Sequence, residues 1–222
     1  MQLTTPTQII ESLNWRYATK IFDPSKKLSS EQLNMVKESM RLAPSSYGIQ
    51  AWKFIEITTP SIREQLKVIG WNQSQFTDAS NLFAICTYID PKPKAEELVQ
   101  NYVDEIIKVR EVDPESLEGY KGMMINAMNN GNTSGDPEYT PYWLDNQAYI
   151  VVGQVLTSCA AVGIDAIAIE GFDIAKANEI LALDELGLCV KCFVAVGFRS
   201  EDDKYASAKK VRFTQEDLFV QK

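Results

Sequence analysis

Four cations stand in two short runs near opposite ends of the chain: Arg16 and Lys20, four residues apart, and Lys210 and Arg212, two apart. Arg16 and Lys20 fall at the end of the first predicted helix, where that spacing puts them on one face. If the two ends of the chain meet, the four charges make an anion site with the forked donors that phosphate favours. If they do not, they are two solvated surfaces. A second candidate is the run Ala43-Pro44-Ser45-Ser46-Tyr47-Gly48-Ile49-Gln50-Ala51-Trp52. It offers hydroxyls, a permissive glycine and an amide between a helix and a strand, and reads either as a linker or as a ligand-gripping loop.

Other chemistry is excluded by what is missing. The chain has no histidine, so a Ser-His-Asp or Cys-His catalytic set cannot form. His-ligated zinc and facial-triad iron are equally ruled out, and no metal site is expected. An enzyme built from this sequence uses Lys, Tyr, Cys or carboxylates, or takes its chemistry from a cofactor. Neither G-x-x-x-x-G-K-[ST] nor G-x-G-x-x-G occurs, which argues against a Rossmann-type nicotinamide domain. Cys189 and Cys192 form a C-x-x-C, but within an apolar run from Leu188 to Phe198 that reads as a buried strand. Positions three apart on a strand face opposite sides, so these thiols are expected to be structural.

The elements that must position these groups are readable. Thr5-Pro6-Thr7-Gln8 and Ser29-Ser30-Glu31-Gln32 are capping boxes. Ile9, Ile10, Leu13 and Tyr17 follow helical spacing after the first; Leu33, Val36 and Met40 follow it after the second, up to about Ala43-Pro44. Trp52 to Thr58, Leu82 to Tyr88, Ile164 to Ile169 and Val190 to Val196 read as strands. Pro91 and Pro93 close the second strand, and Thr59-Pro60 starts a helix with Leu66 and Ile69. Residues 95 to about 131 read as weakly specified helix, Asn129 to Pro137 as loop, and Thr140-Pro141 opens the longest helix, to about Val162. That helix is apolar nearly all round, as a buried helix is, while Asp145, Asn146, Gln147 and Gln154 argue against a membrane span. Its small residues Gly153, Ser158, Ala160 and Ala161 permit close packing, in the same subunit or at a dimer axis. Asp173 caps a helix running through Leu183. The order predicts one α+β domain over residues 1–222, a single sheet wrapped by helices, with a variable helical excursion at about 92–140. Twenty-two basic against 30 acidic residues give a net charge of −8, which disfavours nucleic-acid partners. Free thiols without a secretory pattern suggest the cytoplasm.

Five blocks in order carry a resemblance. Trp15-Arg16-Tyr17-Ala18-Thr19-Lys20-Ile21-Phe22-Asp23 resembles an Arg-x-Ser-x-Lys-x-Phe-Asp opening, and Pro44 to Trp52 resembles a Pro-Ser-Ser-x-Asn-x-Gln-Pro-Trp loop. Asn72 with Asp78-Ala79-Ser80, then Ile169-Glu170-Gly171-Phe172-Asp173, then Val194 to Phe198 with Lys210-Val211-Arg212 complete the set. The chain resembles the FMN-dependent nitroreductase family, closest to its oxygen-insensitive NAD(P)H nitroreductase and dihydropteridine reductase branch.

The resemblance implies a mostly antiparallel sheet surrounded by helices, and an intertwined homodimer with FMN within its interface. It implies that Arg16, Tyr17, Ala18 and Lys20 hold the flavin, with Lys20 stabilising its reduced form, and that Lys210 and Arg212 complete the phosphate site. Ser45, Ser46 and Gly48 would come from the other subunit. Asn72 would sit near the pyrimidine edge, Gln147 against the flavin, and Ile169, Glu170 and Gly171 beside the ring. NADH or NADPH would be co-substrate, and a nitroaromatic, quinone or pteridine-like small molecule the acceptor, in ping-pong order. The same scaffold could instead serve flavin or iron reduction, dehalogenation, or flavin binding without turnover. Tyr120, Met123 and Met124 of the excursion would line the pocket mouth or merely pack. Ala18, Gly48, Ala51 and Ala168 depart from the family's serine, asparagine, proline and proline, and Tyr17 stands where a histidine is common.

Overall fold

The two capping boxes form as the sequence predicts. In the computed structural model, which describes residues 4–90, 92–131 and 135–222, Thr5 opens α1 (Pro6–Trp15) and Ser29 opens α2 (Ser30–Arg41), each side chain accepting from the N–H three residues on. β1 (Trp52–Glu56), α3 (Pro60–Ile69), the short α4 (Gln75–Asp78) and β2 (Asn81–Tyr88) follow. The excursion is α5 (Ala95–Arg110) and α6 (Glu118–Asn130). The chain continues through α7 (Thr140–Ala161), β3 (Asp165–Ile169), α8 (Ile174–Ile180), β4 (Leu188–Gly197) and α9 (Gln215–Leu218).

The strands form one sheet in the order β1-β2-β4-β3, every pair antiparallel. Both faces of this sheet are covered, which is why β2 and β4 read as nearly continuous apolar runs, while β1 at the edge alternates. Leu82, Ala84, Cys86, Phe193 and Ala195 belong to one core with Leu66, Val99, Met124 and Ala177. Phe83, Ile85, Val194 and Val196 belong to the other, with Val36 and Met40 of α2 and Val151, Val152 and Val155 of α7. The helix that is apolar all round thus lies against the sheet at its centre.

Four expectations are corrected. α1 stops at Trp15, and Arg16 is already extended (φ −71°, ψ 142°). Arg16, Tyr17 and Lys20 therefore share no helical face. The N–H groups of Lys20 and Ile21 go to the Asp203 carboxylate instead of to carbonyls of a further helical turn. Second, the alternation assumed for Cys189 and Cys192 is broken: Cys192 pairs with Ile85 and Val190 with Cys86, leaving Lys191 as an unpaired bulge. The thiols are nevertheless free and separately placed, Cys189 Sγ against Asn178 Nδ2 and Cys192 in the second core. Third, Asn129 and Asn130 finish α6 rather than start a loop, with Gly131 (φ +71°) as its left-handed cap. Fourth, α8 ends at Ile180, short of Leu183. Pro91, read from sequence as closing the second strand, and residues 132–134, read as loop, lie outside the described residues.

Candidate functional site

The two ends of the chain do meet. Phe22 and Arg199 form an isolated antiparallel bridge, with Ser200 N–H donating to Ile21 O and Asp23 N–H to Phe198 O. This zips the segment after α1 to the segment after β4. The two segments wall a cavity of about 340 Å³ lined by Arg16, Tyr17, Ala18 and Lys20 on one side and Tyr205, Lys210 and Arg212 on the other. All four cations singled out in the sequence reach it, and Lys209 adds a fifth. Among the described residues no carboxylate lines it. Lys210 Nζ donates to the Arg16 carbonyl, tying the tail across the cavity. Burial, followed by the charges of Arg16 and Arg212, holds the Lys210 ammonium below its ordinary pKa. Arg16 is lowered in the same way, by burial and then by Arg212. Cations so crowded and partly desolvated are stabilised by an anion set among them.

Beneath the cavity, Asp203 is 3% exposed. Its Oδ2 accepts from the Tyr17 hydroxyl at 2.8 Å, from Lys20 N–H at 2.7 Å and from Ile21 N–H at 3.0 Å, and its Oδ1 accepts from Tyr205 N–H at 3.0 Å. The Arg199 guanidinium lies 4.2 Å from the Trp15 ring centre and 4.6 Å from that of Tyr17, while pairing with buried Asp165. Tyr17 is thus held by its hydroxyl and by its face.

The remaining predicted residues form two further groups. Ser45, Ser46 and Gly48 sit on a tight turn pinned to α7, where Gln147 Oε1 accepts from Ser46 N–H at 2.8 Å. Tyr47 (φ +56°) and Gly48 (φ +75°) are both left-handed. A side chain at position 48 would begin 2.1 Å from the Tyr102 hydroxyl oxygen, and the Tyr120 hydroxyl donates to the Tyr47 carbonyl at 2.7 Å. The excursion therefore braces this turn. Tyr120 does so directly and Met124 is buried core, leaving Met123 exposed.

The third group is Asn72 with Ile169, Glu170 and Gly171. Trp71 and Asn72 are consecutive left-handed residues (φ +57° and +58°), and the Trp71 indole, 74% exposed, fills the place a Gly171 side chain would take. The flat ring that Gly171 admits within this chain is that of Trp71. Gln73 Nε2 donates to the Gly171 carbonyl at 2.8 Å, and the Tyr149 hydroxyl donates to Glu170 Oε1. Among the described residues nothing accepts from the Gly171 N–H. The cationic cavity is thus built from Arg16, Tyr17, Ala18, Lys20, Lys210 and Arg212, and neither other group lines it in the single chain.

The profile of the nitroreductase family matches residues 13–198. The chain belongs to the nitroreductase family. Within it, a Bacillus subtilis protein named "Putative NAD(P)H nitroreductase YfkO" is 33% identical over 223 residues, covering 96% of each chain. Among solved folds, a nitroreductase-like protein from Streptococcus mutans superposes with a TM-score of 0.80 at 15% identity, over 98% of this chain and 99% of that one. A structure from Exiguobacterium sibiricum described as a "putative nitroreductase in complex with FMN" superposes with a TM-score of 0.75 at 20% identity, over 100% and 99%. The nitroreductase match ends at residue 198, so Asp203, Lys210 and Arg212 lie beyond it. Asp203, Trp71 and Tyr102 are the site neighbours that sequence reasoning missed. Only Asp203 leaves a local trace, an aspartate two residues before Tyr205 whose N–H it caps.

Among the described residues no helix is long and apolar enough to cross a membrane, and no group of three or more His, Cys, Asp or Glu could hold a metal ion.

Proposed function

We propose that this nitroreductase-family chain is an FMN-dependent oxidoreductase using NADH or NADPH. The observation that carries the reading is the cavity, free of carboxylates among the described residues, in which Arg16, Lys20, Lys210 and Arg212 converge. It fits a phosphate: forked guanidinium donors, two ammonium groups and partial desolvation together favour a compact dianion. FMN held there by its phosphate would supply the two-electron hydride chemistry that a histidine-free chain lacks. Lys20 would hold positive charge beside the ring system, where negative charge develops on reduction. The Gly171 N–H, without an acceptor among the described residues, would be a donor to the ring. Asn72 and Trp71 would flank the space where nicotinamide and then a nitroaromatic, quinone or pteridine-like acceptor bind in turn.

The reading includes a homodimer. The chain exposes 13227 Å², against about 10,000 Å² for a compact monomer of this mass. The excess is apolar in the right places: Ile9, Ile10 and Leu13 along α1, Tyr142 and Ile150 on α7, and Val211, Phe213, Phe219 and Val220 on the tail are all exposed. A second copy would cover them and bring Ser45, Ser46, Gly48 and Gln147, absent from the cavity of one chain, to its partner's cofactor.

The test is flavin binding and turnover. Purified chain should bind FMN, bleach anaerobically with NADH or NADPH, and reduce menadione or a nitrofuran. Lys210→Ala with Arg212→Ala should release FMN. Tight FMN retention in that double variant would overturn the phosphate assignment.

A further inference from the structure

Asp203 lies beyond the residues that place the chain in its family. Five cations line the cavity beside it, yet among the described residues no Lys or Arg side chain is paired with its carboxylate. Instead Oδ2 collects three donors from the segment after α1, the Tyr17 hydroxyl and the Lys20 and Ile21 N–H groups, while Oδ1 takes the Tyr205 N–H at the root of the tail. An N-terminal cap of the Lys204–Ser207 turn needs only the last of these. The other three span more than 180 residues of sequence and join the two walls of the cavity. We propose that Asp203 is the positioning residue of the anion cavity, a buried carboxylate that sets both cationic walls without occupying any cation. The inference rests on the reading of the cavity as a phosphate site.

The chemistry requires an acid anion at this position. A carboxylate is acceptor-only, so both oxygens can face N–H and O–H donors. The amide of an asparagine would turn an NH₂ toward one set of donors. Because its donors are three backbone N–H groups and the Tyr17 hydroxyl, Asp203 takes no side-chain donor from Arg16, Lys20, Lys210 or Arg212. Preorganised cations lose less on binding than ones that must be gathered.

The experiment compares FMN with riboflavin, which lacks only the phosphate. Dissociation constants are measured by flavin fluorescence on the flavin-stripped full-length chain, with melting temperature alongside. The wild type should prefer FMN strongly. Asp203→Asn should weaken FMN about tenfold or more while changing riboflavin by less than about threefold, so the preference collapses. Tyr17→Phe, which removes one bond and leaves the backbone ones, should lower the preference by about threefold. A folded Asp203→Asn chain that keeps the wild-type preference overturns the inference, as does equal weakening of both flavins, the mark of a merely structural role. If Asp203→Asn does not fold, an unchanged preference in Tyr17→Phe overturns it. A wild-type chain that binds both flavins equally defeats the phosphate reading itself, a distinct result.

Discussion

Tyr102 places its hydroxyl where a side chain at position 48 would begin, 2.1 Å from that Cβ. Gly48 is also left-handed at φ +75°, so it answers two demands at once. Gly48→Ala is expected to cost about 1–3 kcal/mol from the backbone alone, measured by urea unfolding, plus the displacement of Tyr102. Adding Tyr102→Ala should remove the second cost and leave the first, visible as coupling in a double-mutant cycle. The thiols differ in a comparable way. Burial pushes Cys86, Cys159 and Cys192 up to about 12, so a thiol reagent at mildly alkaline pH should modify partly exposed Cys189 first, as peptide mapping would show. At Asp203 burial acts upward, but the bonds from Ile21, Lys20, Tyr17 and Tyr205 outweigh it and hold the carboxyl below its ordinary value. A depressed acid contributes stability that is present above the unfolded value, near ~3.9, and is lost as pH falls through the folded one. Acid unfolding of Asp203→Asn should lack that portion of the wild-type loss below about pH 4.

Elements were legible in the sequence wherever the signal is local. The capping boxes at Thr5 and Ser29, the apolar run of β2 and the long α7 all rest on neighbours within a few residues. What escaped depends on distant partners. α1 gives way at Arg16 to an extended segment whose Lys20 and Ile21 N–H groups are taken by distant Asp203. The bulge at Lys191 shows only in the pairing with β2. The site followed the same rule: the four cations were legible as charges, but that they meet depends on the Phe22–Arg199 bridge. The Lys191 bulge has its own use. It directs Nζ to Asp145 of α7 at 3.0 Å, and Asp145 also accepts from Thr87 of β2 at 2.8 Å. Neither partner is more than about a quarter exposed, with side chains 22% and 27% accessible. Lys191→Met should therefore destabilise by about 1–2 kcal/mol, more than an open surface pair, and Asp145→Asn in that background should recover part of it in chemical denaturation.

At the scale of the whole molecule, apolar residues of α1 and of the tail are both exposed, as the proposed homodimer requires. Light scattering should give twice the 25.0 kDa of one chain. A chain ended after Ala208 should lose both that pairing and the anion site, because Val211 (84% exposed) and Phe213 flank Arg212 on the same few residues. If a second copy covers Val211 and Phe213 as proposed, Arg212 lies between two interface residues, and assembly and ligand retention become one equilibrium. By mass action, dilution then becomes an eluent: the chain should shed its flavin as subunits separate, and added flavin should lower the concentration at which they part.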